Sequence, residues 1–139
     1  MAQGSNGIPD NVRAFLEERR FASLATVNPD GTPQQTVMWY LLDGDDILMN
    51  TAVGRIKHRN LQGNAKISIC VEDEYRYVSV AGSAQLDVDQ ERTHADILRL
   101  ATRYHGEVEG QAQYDRNFRG AQRASFRLTV ERVVHNGFE

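Results

Sequence analysis

The chain reads as a mainly β domain, a small antiparallel barrel with helical additions. Three observations carry that reading: short runs that alternate apolar and polar residues, close turn signals between the early runs, and one longer helical periodicity late in the sequence. A length of 139 residues suits a single domain whose core needs no covalent staples. Residues 1–7 read as a loose polar tail and residues 8–139 as the domain.

Pro9 and Asp10 suit a helix start, and Val12, Phe15 and Leu16 follow at helical spacing, so a short helix is expected to end near residues 18–20. Residues 21–27 switch to period two, with Phe21, Ser23, Ala25 and Val27 on one face and Ala22, Leu24 and Thr26 on the other. Asn28-Pro29-Asp30-Gly31 is a turn, because proline presets φ and glycine accepts the left-handed region. Residues 33–42 return as a second strand, Asp43-Gly44-Asp45-Asp46 turns again, and residues 47–51 form a third. A short helix over residues 55–61 is expected to stop at Gly63-Asn64. Residues 65–72 and 75–88 read as the fourth and fifth strands, the latter bent at Gly82. Asp89 suits an N-cap for a helix over residues 90–105, with Ile97, Leu98, Ala101 and Tyr104 on its buried face. Residues 106–113 read as a polar loop and residues 114–121 as a helical turn or two. Residues 125–131 form the closing strand, continuing through Val133-Val134, which makes about six strands.

Composition narrows the function. A net charge of -3 argues against general nucleic-acid binding, though it leaves room for a local anion site. No apolar run approaches the roughly 20 residues that span a bilayer. The first residues also lack the charged and apolar regions of a secretory signal, so the expectation is a cytoplasmic protein with no membrane partner. One cysteine, Cys70, excludes an intrachain disulfide, and its apolar surroundings predict a small buried hydrophobe. The four histidines show no metal-ligand spacing, so no metal is expected. No nucleophile elbow, Walker loop or dinucleotide fingerprint is present.

Three segments combine chemistry-bearing residues. In Gly54-Arg55-Ile56-Lys57-His58-Arg59-Asn60 three cations fall within five residues at a strand-to-helix turn. Free backbone N–H groups and the helix dipole would add donors there, and arginine and lysine together suit a phosphate. By residue type alone the same segment reads equally as a solvated basic face. Gln34-Gln35-Thr36-Val37-Met38-Trp39-Tyr40 holds amides, a hydroxyl and the one tryptophan, suited either to a planar heterocycle or to ordinary strand packing. Tyr75-Arg76-Tyr77 puts two tyrosines on one strand face and the arginine on the other, either for a ligand or for cross-strand packing.

The order of these pieces resembles the pyridoxamine 5'-phosphate oxidase-like split-barrel family. The likeness runs from Leu24-Ala25-Thr26-Val27 and Asp30-Gly31-Thr32-Pro33 through Trp39-Tyr40, Arg55-Ile56-Lys57-His58-Arg59-Asn60-Leu61 and Ala65-Lys66-Ile67-Ser68-Ile69. It continues in Val80-Ala81-Gly82-Ser83-Ala84 and ends in Phe126-Arg127-Leu128-Thr129-Val130-Glu131-Arg132-Val133-Val134, so it spans residues 21–137. The resemblance implies a six-stranded antiparallel split β-barrel that forms a homodimer and binds FMN or the deazaflavin coenzyme F420 at the dimer interface. The basic turn is most similar to that of the short deazaflavin-using branch.

By that likeness Arg55 and Lys57 hold the cofactor phosphate, and Asn60 supports the turn. Thr36, Val37, Trp39, Asn50 and Thr51 line the ring pocket, and Tyr75, Arg76 and Tyr77 match the segment that completes the site, from the same or the second subunit. The implied activity is an F420H2-dependent reductase passing a hydride to a small organic acceptor. The alternatives are an FMN-dependent oxidoreductase of the same fold and a cofactor-binding protein without turnover. An oligonucleotide-binding barrel is a further rival, disfavoured by the acidic charge. The chain lacks a match to the C-terminal substrate segment of a true pyridoxamine phosphate oxidase. No catalytic residue stands out, and Tyr77, Tyr40 and His135 are the candidate proton donors.

Overall fold

A computed structural model describes residues 7–138, so the expected polar tail lies outside them apart from Gly7. The element order is α1 (Asp10–Glu17), β1 (Ala22–Val27), β2 (Pro33–Met38), β3 (Leu41–Asp43), β4 (Asp46–Ala52), α2 (Ile56–Gly63), β5 (Lys66–Asp73), β6 (Arg76–Asp87), α3 (Gln90–Gln113), a π-helical turn (Tyr114–Phe118) and β7 (Arg123–Asn136). All seven strands join one antiparallel sheet in the order β2-β1-β5-β6-β7-β4-β3. Alternation predicts which faces turn inward: Ala22, Leu24 and Thr26 of β1 are buried, and Phe21 is exposed. Ala22 and Leu24 join Ile67, Ile69, Val78, Val80, Phe126 and Leu128 in a barrel core that also takes in Val12, Phe15 and Leu16 of α1.

The expected second strand is in fact two, which raises the count from six to seven. β2 pairs with β1 and β3 pairs with β4, so residues 39 and 40 carry the chain from one edge of the strand order to the other. The backbone of Tyr40 leaves the ladder because a side chain takes its place. Its N–H meets the Tyr104 hydroxyl at 3.2 Å, and its own phenol donates to the Leu16 carbonyl at 2.8 Å. This break splits the barrel and leaves Trp39 at the seam.

Two more expectations are corrected. Residues 106–113 are helical, because α3 kinks at Gly106 (φ 85°) and then resumes. That second arm has no apolar stripe to announce it, and Val108 is exposed. Polar pairs one turn apart sustain it instead, including Gln113 to Glu109 and Gln111 to Asp115. Cys70 is exposed rather than buried. Period two sends Ile69 and Val71 inward and leaves Cys70 on the opposite face, between Ser23 of β1 and Ser79 of β6. The closing strand is also longer than expected, starting at Arg123.

The expected bend at Gly82 falls on a register irregularity between Ala81 and Gly82, where β6 meets β7. A Cβ there would lie 1.8 Å from the Thr129 carbonyl oxygen, which is backbone and cannot rotate away. Gly82→Ala is therefore expected to cost about 2 kcal/mol or more, read as a lower urea midpoint with an unchanged m-value; a midpoint equal to that of the parent protein would refute this account of the bend.

Candidate functional site

The basic turn is built where β4 leaves the sheet. Gly54 turns the chain at φ 93°, Arg55 stays extended as the N-cap of α2, and no side chain caps that end. The helix geometry thus leaves the N–H groups of Ile56, Lys57 and His58 without intrahelical acceptors. The Val53 N–H donates to the Gln122 carbonyl at 2.9 Å, tying the turn to the start of β7. His58 accepts the Gly54 N–H on Nδ1 at 3.1 Å, so its neutral ring carries the proton on Nε2, a buried atom without a partner among the described residues. Asn60 supports the turn, donating to Thr26 Oγ1 at 3.1 Å and Asn28 Oδ1 at 2.9 Å. Arg55 and Arg59 stay exposed.

Burial decides between a solvated face and an anion grip. Lys57 is only 6% exposed, and among the described residues it makes no ion pair. Burial lowers its pKa, and the nearby Arg55 and Arg123 guanidinium groups lower it further. A solvated basic face would put this ammonium in water. A buried cation held next to other cations is an arrangement that an anion relieves.

Arg123 is the residue that sequence reasoning missed. It lies opposite Ala52 in the β4–β7 ladder, so strand pairing puts it beside the turn. It is 7% exposed, makes no ion pair among the described residues, and its pKa is pushed down to about 10, first by burial and then by Arg55. Its Nε donates to Asn50 Oδ1 at 2.9 Å, and its guanidinium lies 5.0 Å from the centre of the Phe118 ring. Gln90 brackets its backbone, accepting from the N–H at 2.8 Å and donating to the carbonyl at 3.0 Å. The Asn50 amide also donates to Thr93 O and Ser125 Oγ, both at 2.9 Å, and Ser125 donates to the buried Asp96 at 2.7 Å. The only sequence signal for Arg123 is its place just before the closing strand.

The other expected site residues divide. Val37, Trp39 and Asn50 line one cavity of about 210 Å³, together with Phe118 and Arg123. Trp39 stacks on Tyr104 with ring centres 5.2 Å apart and meets Phe118 edge-on at 5.8 Å. Thr36 lies opposite Leu24, and Thr51 alternates away from Asn50 to the face of Met49; neither lines that cavity. Tyr75, Arg76 and Tyr77 sit at the β5–β6 hairpin, against α1. Tyr75 is exposed, and Arg76 pairs with Asp73 at 2.9 Å and lies 4.8 Å from the Phe15 ring. Among the described residues no hydrogen bond or ion pair joins this hairpin to the basic turn. Of the proton-donor candidates, Tyr40 is excluded: its phenol is fully buried, bonded to a carbonyl and raised in pKa by burial. Tyr77 is exposed, and His135 is exposed beside Phe138.

Comparison with known proteins adds independent observations. A family model described as pyridoxamine 5'-phosphate oxidase matches residues 8–136. A solved structure titled F420 reductase is 29% identical, covering 91% of this chain and 98% of that one, with a TM-score of 0.74. A conserved hypothetical protein from Mycobacterium tuberculosis is 26% identical over 100% of this chain and 91% of its own, with a TM-score of 0.78. General Stress Protein 26 from Bacillus anthracis, at 12% identity, 94% coverage of both chains and a TM-score of 0.67, shares the fold alone. Among the described residues no helix is long and apolar enough to cross a membrane.

Proposed function

Since the chain belongs to the pyridoxamine 5'-phosphate oxidase family, a family of split barrels that bind flavin-type cofactors and are generally oxidoreductases, we propose that it is an F420H2-dependent reductase acting on a small organic acceptor. The observation that carries this is the pair of cations at the basic turn, of which Lys57 is more than nine-tenths buried and has no carboxylate partner among the described residues. That donor set fits a phosphate, with Arg55 offering a fork, Lys57 a point charge and the first turn of α2 free N–H groups. Similarity to an F420 reductase supports deazaflavin over FMN. FMN is the second reading, because it presents a phosphate to the same turn.

A bound deazaflavin supplies the hydride; the protein supplies binding, orientation and dryness. Lys57 and Arg55 fix the phosphate end. Val37 and Trp39 give the cavity beside the phosphate clamp an apolar wall that keeps water from the reacting groups. A binding protein without turnover would use the same contacts, so measured oxidation of F420H2 by an acceptor separates the two.

The site is completed, in this proposal, by a second copy of the chain. The outward face of β1, β5 and β6 presents Ser23, Ala25, Ser68, Cys70, Ser79 and Ala81 in register, a smooth surface of small residues. Two such faces can approach closely, and the partner's β5–β6 hairpin would then bring the segment 75–77 to the ligand. That role accounts for an exposed Tyr75 and Tyr77 that α1 leaves free.

Two outcomes are expected. Lys57→Ala weakens binding of both F420 and FMN by about tenfold or more, and Arg55→Ala in addition weakens it further, with unfolding midpoints near that of the parent; unchanged affinity for both cofactors in fluorescence titrations would overturn the phosphate assignment. Cys70→Arg sets a large charge in the middle of the small-residue face and is expected to turn a dimer into a monomer in sedimentation velocity. A parent protein that sediments as a monomer, or a variant that stays dimeric, would contradict the proposed interface.

A further inference from the structure

We infer that the cavity beneath Phe118 is a second anion site, which takes a small planar ligand with a carboxylate or similarly anionic edge and grips that edge with the Arg123 guanidinium. The inference deepens the proposed function, because it names what meets the pocket beside the cofactor phosphate.

A guanidinium that is 7% exposed ordinarily has a carboxylate against it. Arg123 has none among the described residues. Asp96, the carboxylate nearest in its hydrogen-bond network, is reached only through Asn50 and Ser125; its own contacts are the Ser125 hydroxyl at 2.7 Å and Arg99 at 4.0 Å. The Asn50 amide occupies Nε, and Phe118 covers the guanidinium at 5.0 Å. The two terminal nitrogens donate to nothing among the described residues. A fork held at Nε and covered by a ring is oriented in advance, so little freedom is lost when an anion takes both terminal N–H groups.

The remaining walls describe the rest of the ligand. Val37, Met38, Trp39, Ile97 and Leu100 give an apolar lining around that one charge. The volume of about 210 Å³ falls below the ~300–1,000 Å³ of pockets for drug-sized molecules. The ligand is therefore small, on the order of one or two rings. Arg55 and Lys57 do not line this cavity, so the phosphate clamp and the Arg123 fork are separate donors. Their closeness makes them mutually repulsive, which favours one anion at each.

Trp39 is the one tryptophan of the chain and lines the cavity, so its fluorescence reports occupancy. The probes are trans-cinnamate, a planar unsaturated carboxylate, and its neutral methyl ester. The full-length protein is expected to bind the acid at least about tenfold more tightly than the ester. Arg123→Gln removes that preference, and Arg123→Lys keeps part of it. Equal binding of acid and ester by the parent protein overturns the inference without need of any variant. So does a preference that survives Arg123→Gln in a protein with parental circular dichroism. Repeating the titration with saturating F420 or FMN identifies the source of the anion: continued quenching assigns the cavity to an acceptor substrate, and displacement assigns the Arg123 fork to the electronegative edge of the cofactor ring. The comparison needs no cofactor, so a failure to bind F420 would sink the proposed function while leaving this result readable.

Discussion

Ala52 lies opposite Arg123 and Asn50 opposite Ser125 in the ladder between β4 and β7, and the candidate site follows from that register. β4 delivers the chain to Gly54 and the start of α2, while β7 begins at the same level with a buried arginine. The Val53 to Gln122 hydrogen bond locks the two ends together. Because side chains alternate along a strand, a slip of one residue would turn Asn50 and Arg123 away from each other and toward the barrel core. Gln90, Thr93 and Asp96 of α3 hold the far side of the same network, so the helix is part of the site rather than a cover over it.

This arrangement costs stability. Burial lowers the affinity of Lys57 and Arg123 for protons, Arg55 lowers both further, and Arg123 adds to the effect on Lys57. Desolvated cations that find no counter-charge among the described residues cost the fold free energy that a structural ion pair would partly return. Elsewhere the protein does pair its charges: Asp43 takes Arg99 and Arg127, and Asp73 takes Arg20 and Arg76. Both carboxylates are held below their ordinary pKa, first by those arginine hydrogen bonds. Against that background Lys57 and Arg123 stand out as buried cations with no carboxylate partner among the described residues.

What the sequence made legible was local. Alternation in residues 21–27 and 65–72 predicted which side chains turn inward, and the closely spaced Arg55, Lys57 and Asn60 marked the turn. The seam at residues 39 and 40 escaped because alternation runs through it: buried Tyr40 keeps the inward phase while the strand pairing passes from β1 to β4. Arg123 escaped for the opposite reason. It has no local pattern, and only pairing with a strand some seventy positions earlier, as in its bond to Asn50, gives it a place. Cys70 was misread because an apolar run was taken as buried on both faces, whereas the sheet has one inward face there. Tyr75, Arg76 and Tyr77 were grouped with the site by likeness; in a single chain Arg76 instead packs against Phe15 and pairs with Asp73.

The central claim is that the cations around residue 55 are held in readiness for a phosphate. Calorimetric titration with FMN and with riboflavin, which differ only in that group, tests it most directly. The account predicts that FMN binds at least about tenfold more tightly and that the difference shrinks as salt rises. Equal affinity for the two at low salt would contradict it.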